Sequence, residues 1–400
     1  MPYYRSVGEV PRKRHTQFPK PDGGLYAEEL IGIDGFSQES SLLYHRHLPT
    51  AITSAETLAD PRQLEPLVSN DPLLPRHFRT DELRVGGDAV ENRSVLAGND
   101  DLMISVVAAT EVSGLYRNAT GDELVYVRSG HARLESVYGV LDVGPGDYVV
   151  VSMSTTHRWV PVGDDPLRLM VIEAHGHVAF PHRYLSARGQ LLEHAPFCER
   201  DLRAPESPEW MEPSEEGDVP VVVRHRGGLT RYHYRHHPFD VVGWAGCLYP
   251  FALSIHDFEP LTGRIHQPPP VHQTFEGPKF VICSFVPRLF DYHPLAIPAP
   301  YNHANVDSDE LILYLDGDFM SRKGSGVAAG SISLHPAGFV HGPQPGSVEA
   351  SIGKAATEEL AVMIDTFAPV RLGPAAFACE DSEYAWSWQR GLEAGRGSTF

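Results

Sequence analysis

The strongest constraint on what this chain can fold into is an internal repeat. One copy reads Tyr116-x-Asn118-x4-Glu123-x6-Gly130 and the other His303-x-Asn305-x4-Glu310-x6-Gly317, so that DELVYVRSG and DELILYLDG nearly superpose. Further on, Gly146 precedes His157 by eleven residues, and Gly330 precedes His341 by eleven. Two shared motifs in the same order are poorly explained by chance. A duplicated β-barrel unit accounts for both.

The sequence around the repeat supports that reading. Between about 101 and 175, the runs DLMISVVAAT, DELVYVRSG, ARLESVYG, DYVVVSM and LRLMVIEA are short, rich in β-formers and separated by Gly, Asp and Pro. This is the spacing of an all-β sandwich or barrel. The pattern returns after 304 with DELILYLDG, GSISLHPAG and AVMIDTFA. Residues 1–100 read as irregular, 176–260 as a long connection with an acidic surface segment over 199–217, and the tail beyond about 375 as partly helical. The expected architecture is all-β, a duplicated jelly roll with irregular N-terminal and connecting segments. An N-terminal region, 1–260, would carry one barrel at about 101–175, and a C-terminal domain, 261–400, the other.

Charge and cysteine content exclude several function classes. Lys+Arg number 33 against 52 Asp+Glu, a net charge of −19, which argues against nucleic acid and against an anionic membrane surface as partners. The four cysteines, Cys198, Cys247, Cys283 and Cys379, form no C-x-x-C pair, so neither a cysteine zinc site nor a dithiol redox motif is expected. The first residues, MPYYRSVGEVPRKRH, contain no apolar stretch of a signal peptide, and no run approaches a membrane span, so a cytoplasmic protein is expected. No Gly-rich phosphate loop points to a nucleotide cofactor.

The second copy of the repeat carries the chemistry. It spells H-x-N-x4-E-x6-G and then G-x5-P-x-G-x2-H through Gly330, Pro336, Gly338 and His341. This resembles the two motifs of cupins, which lie on neighbouring strands of a small jelly roll and would bring His303, Glu310 and His341 together. Two imidazoles and one carboxylate are the ligand set of non-haem Fe(II) oxygenases, with positions left for substrate and dioxygen. Asp309 adjoins Glu310, but the Glu310-x6-Gly317 spacing repeats at Glu123, so Asp309 should face the other side of the strand. In the first copy Tyr116 stands in place of the first His, and Ser152 and Ser154 in place of the Pro and Gly before His157. That barrel is expected to be structural and to hold no iron.

Longer segments narrow the resemblance. YYRSVGEVPRKRHTQF at the start, FDVVGWAGCLYPFALSIHDFEP at 239–260, PAPYNHAN and LHPAGFVHGP are similar to the homogentisate 1,2-dioxygenase family in its bacterial form, over most of the chain. The resemblance implies Fe(II) held by His303, Glu310 and His341, and dioxygen-dependent conversion of homogentisate to maleylacetoacetate in tyrosine and phenylalanine catabolism. It implies a trimer or hexamer. It also implies a catalytic acid/base His, matched best by His266 in GRIHQPPP with His272 as the rival, and a pocket His at His335. The five Trp residues read as core rather than as a cofactor cradle, with Trp244 in the DVVGW stretch the one candidate to support the site. Many family members place a substrate-binding Tyr where this chain has Phe319; Tyr301, Tyr314 or Arg322 are the candidates to compensate. The step from His303 to Glu310 is one residue longer than in the animal and proteobacterial enzymes. The same chemistry on another hydroquinone-type or phenolic acid therefore stands as the alternative substrate. A zinc-dependent isomerase of sugar phosphates would need clustered cations near the metal, and 301–345 has only Arg322 and Lys323. A binding or storage protein would not need an intact ligand set.

Overall fold

In a computed structural model, residues 3–64, 66–206 and 216–396 are described. The middle of the acidic segment, 207–215, lies outside them. Strands dominate and helices are short, so the all-β expectation holds.

The first barrel is built from two facing sheets. One carries, in spatial order, Leu202–Arg203, Phe251–Ser254, Asp147–Val151, Glu123–Ser129, Leu167–Ala174, Leu102–Ala109, Ser94–Gly98, Arg371–Leu372 and Val68–Ser69. The facing sheet runs from Gly139–Val143 through His131–Ser136, His157–Val162 and Leu115–Asn118 to Glu216–His225, Gly228–His236 and Ile52–Leu58. Alternation along Glu123–Ser129 sends Val125 and Val127 into the barrel, against Val149, Val171, Leu134 and Trp159. Leu124 and Tyr126 face the other way, into a larger core shared with the second barrel. A strand buried on both faces has no polar face to show, which is why LVYV at 124–127 reads as an unbroken apolar run.

The second barrel's main sheet is ordered Gln273–Gly277, Phe280–Phe285, Leu360–Thr366, Asp309–Asp316, Ser331–His335 and Arg76–Arg79. Its outward face is apolar: Phe275, Ile282, Leu311, Leu313, Leu334 and Ile364 pack toward the first barrel. The intervening residues face the interior, and many of them are polar: Glu310, Tyr314, Ser333, His335 and Asp365. A barrel that keeps its polar set inside has an interior suited to chemistry rather than to a dry core.

Two strands cross the chain division near 260. Arg76–Arg79 pairs with Ser331–His335, and Arg371–Leu372 pairs with Ser94–Gly98. Residues 1–100, which read as irregular, contain seven strands among the described residues, including the Ala27–Gly32 and Ser40–His45 pair. Most of these pair with strands distant in sequence, so no local hairpin signal betrays them. The tail bears out its helical reading, with a helix from Ser387 to Arg396. No helix of the described residues is long and apolar enough to cross a membrane.

Candidate metal centre

The strand Asp309–Asp316 positions the carboxylate. Glu310 lies opposite His335 on one neighbour and Asp365 on the other, so all three side chains emerge on the same face, inside the barrel. Asp309 points the other way, as its register requires, and its two carboxylate oxygens accept from the amides of Ala337 and Val370, each at 2.8 Å. The imidazoles come from the opposite wall. His303 and His341 form an antiparallel bridge, each amide donating to the other's carbonyl at 2.8 Å, with ring centroids 4.3 Å apart.

Three donor atoms, one each from His303, Glu310 and His341, lie within 4.8 Å of one another, and this is the one such cluster of His, Cys, Asp or Glu among the described residues. Nδ1–H of His303 donates to the Tyr301 carbonyl at 3.0 Å, and Nδ1–H of His341 to the Phe339 carbonyl at 3.2 Å. These bonds place the neutral lone pair of each ring on Nε2, facing Glu310 at 3.9 Å and 3.4 Å. His341 Nε2 is buried and without a hydrogen-bond partner. An orphaned basic nitrogen beside a buried carboxylate is costly unless a cation sits between them, so this donor set fits a divalent metal.

Neighbouring groups set the charge. Burial pushes the Glu310 carboxyl up, but contacts with His303, His335 and His341 outweigh it and hold it well below the usual range, so Glu310 is anionic. His335 is buried; Nδ1–H donates to Glu310 Oε1 at 2.8 Å, and Nε2 accepts from the Tyr384 hydroxyl at 2.9 Å. Burial, reinforced by the nearby Arg322, pushes His335 down to about 3, so it orients Glu310 as a neutral donor. Its ring stacks on His341 at 4.3 Å. Arg322, itself buried, donates to the Tyr314 hydroxyl and to the carbonyl of Gly342, next to His341, and Trp388 donates to that same carbonyl.

Two residues that sequence reasoning missed belong here. Asp365 is pushed up to about 7 by burial and by the Glu310 charge, and its Oδ1 has no partner. The matching VIEA and MIDT runs could have found it, because Glu173 opposes Glu123 as Asp365 opposes Glu310. Tyr384 comes from the C-terminal tail and carries no motif.

The remaining candidates scatter. His266 lies on the loop before the strands, 44% exposed, 3.5 Å from Asp291 and with its ring edge-on to Tyr301. Tyr301 is exposed and touches the cluster through its carbonyl. His272 is buried, pushed down to about 3 chiefly by that burial, with Nδ1 unpartnered. Phe319 is buried with its ring against Tyr314, outside the histidine–carboxylate group. Trp244 is a core residue, buried against Tyr138 and Tyr249, and its indole N–H donates to the Tyr138 carbonyl.

In the first barrel the corresponding position is filled by a guanidinium. Arg93 donates from Nη1 to Glu123 at 3.0 Å and Glu173 at 2.7 Å, and from Nη2 to Glu123 at 2.8 Å. Burial pushes the Glu123 carboxyl up, and Arg93 more than offsets it. Arg93 precedes the motif and has no counterpart in the repeat, so spacing could not reveal it.

Comparison with known proteins follows the same division. The homogentisate 1,2-dioxygenase N-terminal family matches residues 6–255, which hold the first barrel. A Saccharolobus solfataricus protein named "Putative dioxygenase" is 40% identical over 399 residues, 97% of this chain and 99% of that one. The homogentisate 1,2-dioxygenase of Emericella nidulans is 25% identical over 371 residues, 84% of this chain and 79% of that one. Among solved structures, a cupin 2 conserved barrel domain protein from Leptotrichia buccalis aligns at 13% identity and a TM-score of 0.32, over 73% of this chain and 95% of that one.

Proposed function

The chain belongs to the homogentisate 1,2-dioxygenase family, and we propose that it is an Fe(II)- and dioxygen-dependent ring-cleaving enzyme that converts homogentisate to maleylacetoacetate. The observation that carries this reading is the convergence of His303, Glu310 and His341 with both Nε2 atoms turned toward the carboxylate. A bound ferrous ion would supply the one-electron chemistry by which dioxygen reacts with an aromatic ring, and positions for both beside the three protein donors.

The chain's own residues do the rest. His303, His341 and anionic Glu310 would hold the ion, with one negative charge against its two positive ones. His335 fixes the Glu310 carboxylate through Nδ1–H, and Tyr384 fixes His335. Arg322 and Trp388 anchor the backbone beside His341 through the Gly342 carbonyl. His266 would accept the proton of a phenol; its exposure and the contact of its ring with Tyr301, whose carbonyl orients His303, support that reading. His272, buried with its proton affinity depressed, is a poorer base near neutrality.

A second reading keeps the chemistry and changes the substrate to another hydroquinone-type or phenolic acid. It is favoured by Phe319, which offers no hydroxyl and is turned toward Tyr314. Oxygen uptake by Fe(II)-loaded protein, measured with homogentisate beside gentisate, separates the two. Homogentisate turnover at the higher kcat/KM supports the first; turnover of gentisate alone supports the second; no uptake with any phenolic acid refutes both.

A further inference from the structure

The first barrel, with Arg93 between Glu123 and Glu173, opens at one end. A cavity of about 920 Å³ lies there, and Tyr116, the repeat counterpart of His303, lines it. Small-molecule sites commonly enclose roughly 300–1,000 Å³ between apolar walls with a few polar groups. Here the walls include Leu58, Met103, Leu229 and Ala375.

The polar groups favour negative charge. Arg62, Arg84, Arg93, Arg224 and Arg231 reach the cavity wall, against the carboxylates of Glu82 and Glu91. Glu123, Glu173 and Asp60, the partners of Arg62, Arg93 and Arg224, sit behind that wall, and Arg231 pairs with Glu56, so Arg84 is the wall cation without an ion pair among the described residues. Arg93 is held rigidly by its two glutamates, so it is pre-organised and cannot fold back. Tyr116 is 3% exposed, and its hydroxyl makes no hydrogen bond to a described residue. That hydroxyl opens on the cavity, so a ligand that displaces water there must itself accept from it to avoid a loss. Burial and the nearby glutamates push that phenol up, so it stays a proton donor at any ordinary pH. A cation is disfavoured by the guanidinium already there, and a neutral apolar ligand would leave the hydroxyl unsatisfied.

We propose that this cavity is a second binding site, for a small organic anion with an apolar body, of the kind of an aromatic carboxylate, whose head group accepts from Tyr116 among the wall arginines. Its occupant is independent of the second barrel's chemistry.

The test is calorimetric titration of full-length protein, stripped of metal by a chelator, with 2-naphthoate and with uncharged 2-naphthamide. Expected is saturable one-to-one binding of 2-naphthoate, with the amide at least tenfold weaker. Arg84→Glu, on an exposed wall residue, is expected to weaken 2-naphthoate at least tenfold, and Tyr116→Phe to weaken it severalfold. Ala378→Trp, on an exposed residue of the cavity lining, is expected to block it. His303→Ala is expected to leave binding unchanged. The proposal is overturned if 2-naphthoate does not bind, if the amide binds as well, if Arg84→Glu and Ala378→Trp are both silent, or if His303→Ala abolishes binding.

Discussion

Arg93→Met tests the guanidinium that holds Glu123 and Glu173 together in the first barrel. The substitution keeps the aliphatic stem and deletes a guanidinium that makes three hydrogen bonds to two carboxylates with side chains 1–2% exposed. The loss is uneven. Glu173 keeps Arg62 at 2.6 Å, whereas Glu123 keeps only the Asn118 amide at 3.1 Å. Removing one partner of a buried ion pair costs about 3–5 kcal/mol, and Glu123 should account for most of it. The cost must depend on pH. In the wild type the Glu123 carboxyl is held below its ordinary value, so its contribution is present above that ordinary value and fades as pH falls through the lowered one. In the variant the same carboxyl rises, and burial penalises its charged form. The stability gap should therefore be widest near pH 8 and shrink by up to roughly 1.4 kcal/mol per unit as the orphaned Glu123 takes up a proton. Urea denaturation of wild type and variant at pH 8 and pH 5 measures it, and Arg93→Met/Glu123→Gln should recover part of the loss. A loss below about 1 kcal/mol, or one equal at both pH values, would show that the guanidinium is not balancing buried charge.

Other outcomes follow from named contacts. Tyr384→Phe removes the donor to His335 Nε2 and should weaken metal affinity or turnover about 10–100-fold, the usual effect of losing a group that orients a ligand; equilibrium dialysis against Fe(II) checks it without reference to activity. His266→Ala should keep its iron while the rate falls roughly 10²–10⁴-fold, and an unchanged rate would move proton transfer to His272 or solvent. His45 is 2% exposed between Asp240 and Glu29; burial pushes its pKa down, but their hydrogen bonds raise it to about 9. Its stabilising contribution, on the order of 3 kcal/mol, is complete below its unfolded pKa of about 6.5 and is lost as pH rises through about 9. Denaturation midpoints should fall over that window in the wild type and stay flatter in His45→Gln.

What could be read from the chain was what repeats at short range. Glu310 sits on a continuous strand, and His303 and His341 hold offsets from Glu310 and from Gly330 that match the cupin motifs, so spacing and that resemblance together pointed to the three. The direction of Asp309 followed from strand alternation. Arg93 and Tyr384 were not legible, because each acts through a partner reached only by folding, Glu123 across the barrel and His335 from the tail; Asp365 was legible only by comparing VIEA with MIDT. The strand Arg76–Arg79 was hidden likewise, since its partner Ser331–His335 lies in the other half of the chain. Trp244 is packed in the core, the reading the sequence favoured for its Trp residues, since a conspicuous motif marks packing as readily as chemistry.

The most direct measurement is the iron content of wild type, His303→Ala and Glu310→Gln after loading with Fe(II) without oxygen and removal of excess metal. One iron per wild-type chain, and little or none in either variant while both keep the wild-type circular dichroism, is the expected result. Full iron in folded Glu310→Gln would contradict it, because a site that loses its one anionic ligand should hold Fe(II) far more weakly.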